Sequence, residues 1–286
     1  MMTPRHRSRS ARAITLIEVL VVVGVIALLL SLLLPSLASS RESARAAACL
    51  SNLRQLLIAN DLYATDFGDA YAPGMPDRQA NLTRWFGSRE SPGARFSGSG
   101  GPLSGYFDAP GESGRGVRAC PSFAPALAQL DAAGAGFERG GGGYGYNTAF
   151  VGAVRARAVS GEWALVTDRA GMPRARFIDP ARTCGFADSA LRDAASPAAA
   201  GVVEYSFLEP RFWPEFPGIR PDPSTHFRHG VRRGTTGTAS VAWLDGHIAP
   251  ERLTFSQASG FYPGDPRDAA IGWFGAADDN SLFDPD

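Results

Sequence analysis

The most pronounced pattern along the chain is an apolar run at residues 14–34, which contains a single charge, Glu18. Twenty-one helical residues at 1.5 Å each span about 31 Å, the thickness of a bilayer's hydrocarbon core. Pro35 closes the run; it lacks a backbone donor and crowds the carbonyl one turn earlier, which predicts a kink or local melting. The pattern therefore predicts a transmembrane helix at 14–34 with a kink at Pro35.

A second pattern follows, with apolar residues at steps of four, three, seven and four, which places them on one helix face. Gly68 is a natural stop for such a helix. We expect residues 35–68 to be an amphipathic continuation, either of one helix from residue 14 to about 67 or of a second helix hinged at Pro35. The apolar face comprises Cys49, Leu53, Leu56, Tyr63 and Phe67.

Residues 69–286 lack a sustained helical period, and glycine and proline interrupt them often. The pattern predicts one short helix at Ala124–Ala133, a flexible connector at the four glycines 140–143, and an exposed insertion at 187–196. Short apolar runs between turn residues predict strands at Trp163–Thr167 and at 183–186, 202–207 and 240–244. The expected fold class is α+β: a long N-terminal helix packed on a mainly antiparallel head, 69–286, with long loops.

The net charge and its distribution along the chain limit the classes of function to be expected. The 286 residues have a formal net charge of zero, and every cationic side chain other than histidine is arginine. Four arginines and no acid precede the apolar run, so loss of residues 1–13 would bring the net charge to −4. A chain without a basic stripe is not expected to bind nucleic acid. The leading arginines are Arg5, Arg7, Arg9 and Arg12.

The three cysteines, Cys49, Cys120 and Cys184, are too few for a disulfide scaffold. In an oxidising compartment one pair could bridge, with Cys49 and Cys120 as the candidate pair. Three unpaired thiols are the alternative. No CxxC or Cys/His spacing typical of zinc is present.

Three interpretations compete for the N-terminal segment. A secretory signal peptide would be cut near Ala38, after a small-residue site. An ordinary membrane anchor would keep its arginines in the cytoplasm. Neither gives a reason for Glu18, since a charge within the membrane is costly and is a functional candidate by default.

The string Ala13-Ile14-Thr15-Leu16-Ile17-Glu18 resembles the processing site of type IV prepilins and type II secretion pseudopilins. The resemblance implies that prepilin peptidase cuts between Ala13 and Ile14 and methylates Ile14, and that Glu18 pairs with the terminal amine of a neighbouring subunit. Ala13 stands where that family usually has glycine, and Ile14 where it usually has phenylalanine or methionine. Pairing suits the physics, because a buried carboxylate and a buried ammonium are each costly alone.

Later residues are similar to those of pilin-like proteins abundant in planctomycetes, which carry a CxxNLRQL-type helix behind the prepilin signal. The matching stretch here begins at Cys49 and ends at Leu56. The further matches, in chain order, are Cys120-Pro121-Ser122, Tyr144-Gly145-Tyr146-Asn147 and a closing His…Asp245-Gly246-His247 stretch.

The resemblance implies a pilin-like, non-catalytic subunit of a type II secretion pseudopilus or a type IV pilus-like filament. The implied partners are prepilin peptidase, copies of the chain or other pseudopilins, and the inner membrane. The helix would cross that membrane once, with a cytoplasmic N-terminus and a periplasmic or, after assembly, extracellular head. The alternative is an envelope-anchored binding or catalytic domain for which the helix is only a tether; a secreted enzyme is the third hypothesis.

The head contains one dense polar group, formed by His226, His229, Asp245 and His247. Three imidazoles and a carboxylate could ligate a metal ion, although their spacing matches no known geometry. The other interpretation of Asp245-Gly246 is a two-residue hairpin turn. The acidic C-terminus offers oxygen ligands for Ca²⁺ or is a frayed tail. No other cofactor is expected, and no hydrolase motif is present.

Overall fold

The computed structural model describes residues 15–107, 116–198, 201–216, 218–231, 236–258, 260 and 262–286. The chain divides into two compact units, Met1–Ser43 and Ala44–Asp286. The helices are α1 (Leu16–Asp66) and α2 (Ala124–Ala133), with 3₁₀ turns at Gly116–Arg118, Arg174–Arg176 and Pro266–Ala269. The strands are β1 (Thr83–Arg84), β2 (Gly87–Ser88), β3 (Tyr144–Tyr146), β4 (Val154–Arg157), β5 (Trp163–Thr167), β6 (Cys184–Asp188), β7 (Leu191–Arg192), β8 (Val202–Val203), β9 (Thr225–His226), β10 (Thr238–Trp243), β11 (Ile248–Arg252) and β12 (Ile271–Gly272).

In the first unit, the apolar part of α1 leaves its side chains exposed throughout residues 16–34. Among the described residues, α1 is the one helix long and apolar enough to cross a membrane. The backbone is helical through position 35 and α1 is continuous, so the local melting predicted at Pro35 and the division into two helices are wrong, whereas the kink predicted there stays a prediction. Proline is tolerated within such helices when the freed carbonyl finds another donor.

In the second unit, the last turns of α1 form one wall of the core. Three residues of the predicted apolar face, Cys49, Leu53 and Leu56, are fully buried, while Tyr63 is half-buried. Phe67 stacks on Tyr63, as residues of one face do, but it is 56% exposed and lies outside the core. The helix ends because Gly68 takes a left-handed conformation, which lets the amide after it reach back five residues to the carbonyl of Ala64.

A four-stranded antiparallel sheet, ordered β11-β10-β6-β3, lies against this part of α1. Gly185 marks the close approach: a Cβ there would lie 3.2 Å from Leu57 of the helix and 3.0 Å from Leu244. The remaining strands form two-stranded antiparallel pairs, β1-β2, β4-β5, β7-β8 and β9-β12. This arrangement agrees with the mixed α+β class predicted from the sequence.

Two predicted loop features are different in the structure. The first part of the insertion predicted at 187–196 is buried, because β6 extends to Asp188 and pairs with β3 on one side and β10 on the other. The turn between β10 and β11 has three residues rather than two: Gly246 donates to the carbonyl of Trp243 and has a φ of 95°, the arrangement of a turn followed by a glycine bulge.

The glycines at 140–143 do not form a flexible connector. Gly140, Gly142 and Gly143 have positive φ angles, and the amides of Gly140 and Gly142 donate to Oε2 of Glu204, at 3.1 and 2.7 Å. Successive amides that converge in this way form an anion-binding concavity. Glu204 is buried, so the loop holds a carboxylate of its own chain.

Candidate functional site

The N-terminal segment contains three of the predicted functional residues. Ala13 and Ile14, the predicted cleavage pair, lie outside the described residues. Glu18 lies in the first turn of α1 and is exposed. The side chain that the resemblance assigns to subunit assembly is therefore available at the start of the apolar helix.

Glu18 and Thr15 form a reciprocal capping arrangement. The amide and hydroxyl of Thr15 donate to Glu18 Oε2 at 2.8 and 2.9 Å, and the amide of Glu18 lies 3.2 Å from Thr15 Oγ1. This is the capping box of the pattern Thr-x-x-Glu, which satisfies amides that have no partner within the helix. The pattern is legible in the sequence and gives Glu18 a structural role that the sequence analysis missed.

The cap leaves the charge of Glu18 unneutralised. Both of its hydrogen-bond donors are neutral groups of Thr15, and no described residue forms an ion pair with it. Within a hydrocarbon layer an unpaired carboxylate is costly. Burial of Glu18 in such a layer would therefore require a cation that the described residues do not supply.

In the head, Cys49 of α1 is joined by a disulfide to Cys120, with a Cα–Cα distance of 5.2 Å. This is the candidate pair of the sequence analysis. Both residues are fully buried, and Cys184 is a free, buried cysteine of β6. The bond ties the part of α1 in the second unit to the segment that leads into α2.

A buried histidine–aspartate pair lies beside the disulfide. His229 Nε2 is 2.9 Å from Asp188 Oδ2 and 3.9 Å from Cys120 Sγ. Burial alone would raise the pKa of Asp188, but Arg228, His229 and the amide of Ser240 outweigh it, so the pKa lies below its ordinary value. Asp188 is thus an ionised carboxylate inside the core, held by cationic and amide partners.

The four residues predicted as a metal site do not come together. The backbone of His229 is hydrogen-bonded to that of Thr238, where β10 begins. Asp245 and His247, by contrast, follow the end of β10. Six strand residues at about 3.3 Å each separate these ends by roughly 20 Å. Spacing along the sequence could not reveal this, because a strand keeps residues that are near in number far apart in space.

The structure also gives different roles to the two pairs, His226 with His229 and Asp245 with His247. His226 packs edge-on against Phe123, and burial lowers its pKa well below the ordinary value, so its imidazole is neutral. His247 Nδ1 lies 2.6 Å from Asp245 Oδ1 in the exposed turn, and its ring stacks on Trp243. The predicted turn role of Asp245 accounts for this second pair.

A different set of potential metal ligands comes together in the structure. One ligand atom from each of Cys49, Cys120 and His229 lies within 4.8 Å of the other two. The two sulfurs are bonded to each other, so neither is the thiolate that a soft metal requires. Two of the C-terminal carboxylates are likewise engaged, since Asp278 binds Arg211 and Arg220 and Asp279 caps Ser281. This segment is docked rather than frayed: Phe283 is buried and its carbonyl accepts from Asn147.

Comparison with known proteins adds no family to this picture. No family model, curated protein or solved structure matches the chain. The resemblance to prepilins therefore stays a prediction, and the function has to be argued from the residues themselves.

Proposed function

We propose that the protein is a non-catalytic pilin-like subunit, cut before Ile14 and assembled through Glu18 into a pseudopilus or pilus-like filament. One observation carries the proposal: a single carboxylate, without a cationic partner among the residues that the structure describes, lies in the first turn of a helix that is otherwise apolar over residues 16–34. A membrane tether needs no such charge, and natural anchors avoid it. An assembling helix can use it to bind the new amino terminus of a neighbour.

The exposure of the apolar side chains supports the same function. In the described part of the first unit, Leu16 is 79% exposed and Leu32 is 69% exposed. These side chains suit lipid while the subunit is in the inner membrane. They suit neighbouring helices once subunits pack together in a filament core.

The capping box sets the conditions for a discriminating experiment, because Glu18 has two separable properties. As a hydrogen-bond acceptor it caps the helix, and glutamine can replace it in that role. As a charge it can neutralise an ammonium, and glutamine cannot. Glu18→Ala removes both properties, Glu18→Gln removes only the charge, and Thr15→Ala removes the hydroxyl partner and keeps the charge.

We expect all three variants to remain in the membrane fraction. Glu18→Ala and Glu18→Gln should each reduce cross-linked multimers by roughly tenfold or more, because an unpaired buried ammonium costs several kcal/mol. Thr15→Ala should still assemble. The measurement is chemical cross-linking in membranes, followed by sizing of the multimers.

Assembly of Glu18→Gln at the wild-type level would contradict the proposal and leave Glu18 as a helix cap on a tethered domain. The mature terminus gives an independent criterion. Mass and amino-terminal sequence should show a methylated Ile14; an intact Met1 or Met2 would favour the tether, and a terminus at Ser39 a secreted protein.

A further inference from the structure

The head contains a cleft that the proposed function does not use. Two cavities, of about 190 and 460 Å³, adjoin and share one set of lining residues. We call this region the aromatic cleft. The shared residues are Met75, Arg78, Tyr205, Phe207, Glu209 and Trp213.

The cleft floor follows from a strand-like alternation in residues 205–209. Tyr146 of β3 donates to the carbonyl of Ser206 and accepts from the amide of Leu208, so this segment runs extended beside β3. In extended backbone, alternate side chains point to opposite faces. Ser206 is therefore turned into the core, while Tyr205, Phe207 and Glu209 line the cleft.

The rings in the cleft form connected faces. Tyr205 meets Phe207 edge-on at 5.2 Å, and Phe137 stacks on Tyr262 at 5.9 Å with planes only 2° apart. Trp213, half-buried, lines both cavities. Aromatic rings that line a cavity provide apolar contact area at low entropic cost.

The polar groups of the cleft carry both signs of charge. Glu209 is only 7% exposed; its Oε1 accepts the hydroxyl of Tyr205 at 2.5 Å, and no described residue donates to Oε2. Burial raises the pKa of Glu209 to about 7, so its carboxyl can both donate and accept hydrogen bonds near neutral pH. Arg78 is exposed and forms no ion pair with any described residue, and Asp168 also lines the smaller cavity.

We propose that the aromatic cleft binds a neutral oligosaccharide, with sugar rings on Trp213 and Tyr205 and hydroxyls bonded to Glu209 and Arg78. A sugar ring offers a face of C–H groups bounded by hydroxyls, which matches flat aromatic rings flanked by a carboxyl and a guanidinium. A strongly anionic ligand would meet Asp168 and Glu209, and a strongly cationic one would meet Arg78. The two adjoining cavities provide room for more than one ring.

A peptide fits the cleft less well, because the backbone of its floor is already paired. The carbonyl of Phe207 accepts from Ser189, and the amide of Glu209 donates to Ser224 Oγ. The edge that an added peptide strand would need is therefore occupied within this segment.

The test is calorimetric titration of the full chain with maltohexaose, cellohexaose, xylohexaose and chitohexaose, in a detergent without a sugar headgroup. We expect at least one of these to bind. Trp213→Ala should weaken its binding by about tenfold or more, the effect of losing a stacked ring. The matched control is Phe216→Ala, on the same loop and 59% exposed but outside the cleft lining, which should bind as the wild type does.

Arg78→Ala keeps the test valid if Trp213→Ala fails to fold, since Arg78 is exposed and its loss leaves no buried gap. It should weaken binding several-fold with an unchanged melting temperature. The proposal is overturned if no oligosaccharide binds at millimolar concentration, or if binding is indifferent to both variants. Binding of hexa-arginine in the absence of any sugar binding would also overturn it, in favour of a cation site.

Discussion

At the scale of single residues, buried acids account for much of the unusual chemistry of the head. Asp188, Glu138 and Glu204 are almost fully buried, and each has dedicated partners. Glu138 receives a forked contact from Arg84, whose Nη2 lies 2.6 Å from Oε1, and Glu204 receives amides of the glycine loop. Removing one partner of such a group strands a charge, which destabilises far more than the intact pair stabilises.

Glu209 is the exception, because its pKa is raised. Desolvation is the largest cause and the charge of Asp222 adds to it, while Tyr205 and Arg78 act to lower the pKa. Its pKa is about 7 in the folded chain against an ordinary 4.5. The unfolded chain therefore releases this proton first as the pH rises. As the pH rises from 4.5 to about 7, the free energy of unfolding of the wild type should therefore fall, by up to about 3 kcal/mol in total.

Glu209→Gln should lack this slope, so the variant gains stability relative to the wild type between pH 5 and pH 8. Tyr205→Phe removes a donor that lowers the pKa of Glu209. The pH range over which the stability falls should therefore extend to higher pH. Denaturant unfolding at several pH values measures both effects. Parallel stability curves for wild type and Glu209→Gln would contradict the assignment.

At the scale of elements, the sequence predicts those whose pattern is local. The bounds of α2 and β5 agree with the prediction because periodicity and flanking turns define them. The extension of β6 to Asp188 depends on pairing with Tyr144, and β9 depends on pairing with Ile271. Partners this distant in sequence leave no local signal.

The candidate sites follow the same rule. Thr15 and Glu18 form a pattern within four residues and can be found by reading. The alternation of Tyr205, Phe207 and Glu209 is also local, and it indicates that these side chains share a face. The association of Asp188 with His229 and Cys120 depends on three separate segments, so only the fold reveals it.

The disulfide is the element-scale feature most open to experiment. Its cysteines are 71 residues apart, so the bond restricts a long loop of the unfolded chain. The double variant Cys49→Ala/Cys120→Ala should lose about 2–4 kcal/mol of unfolding free energy. Cys184→Ala, in the same core but outside the bond, is the control and should lose less.

Dithiothreitol should lower the melting temperature of the wild type and leave that of the double variant unchanged. An equal response of both proteins to the reductant would show that the bond does not form. Thermal unfolding followed by circular dichroism suffices for each comparison.

At the scale of the whole molecule, the second unit contains its own core. Two clusters of buried apolar side chains, which begin at Cys49 and end at Phe283, lie entirely within Ala44–Asp286. The part of α1 from residue 44 onward belongs to that unit. A head that began at residue 69, as the sequence predicted, would lack Leu53 and Leu56.

A chain that starts at Ala44 should therefore fold in water without detergent and melt within about 4 °C of the full-length head, a difference of about 1 kcal/mol. A chain that starts at Asp61 lacks Cys49, Leu53 and Leu56 and should not unfold cooperatively. Near-ultraviolet circular dichroism distinguishes the two outcomes. Cooperative unfolding of the shorter chain would show that the helix is dispensable to the core.

The capping box at Thr15 and Glu18 has a consequence for the order of events in the proposed assembly. In the proposed subunit, the carboxylate of Glu18 is held by Thr15 of its own chain before assembly. The proposed assembly is then an exchange of partners, in which the ammonium of a neighbour would compete with an amide and a hydroxyl already in place. Such an exchange favours a strong cation over water or a weak donor, so the proposed pairing would depend on the charge of the incoming amino terminus.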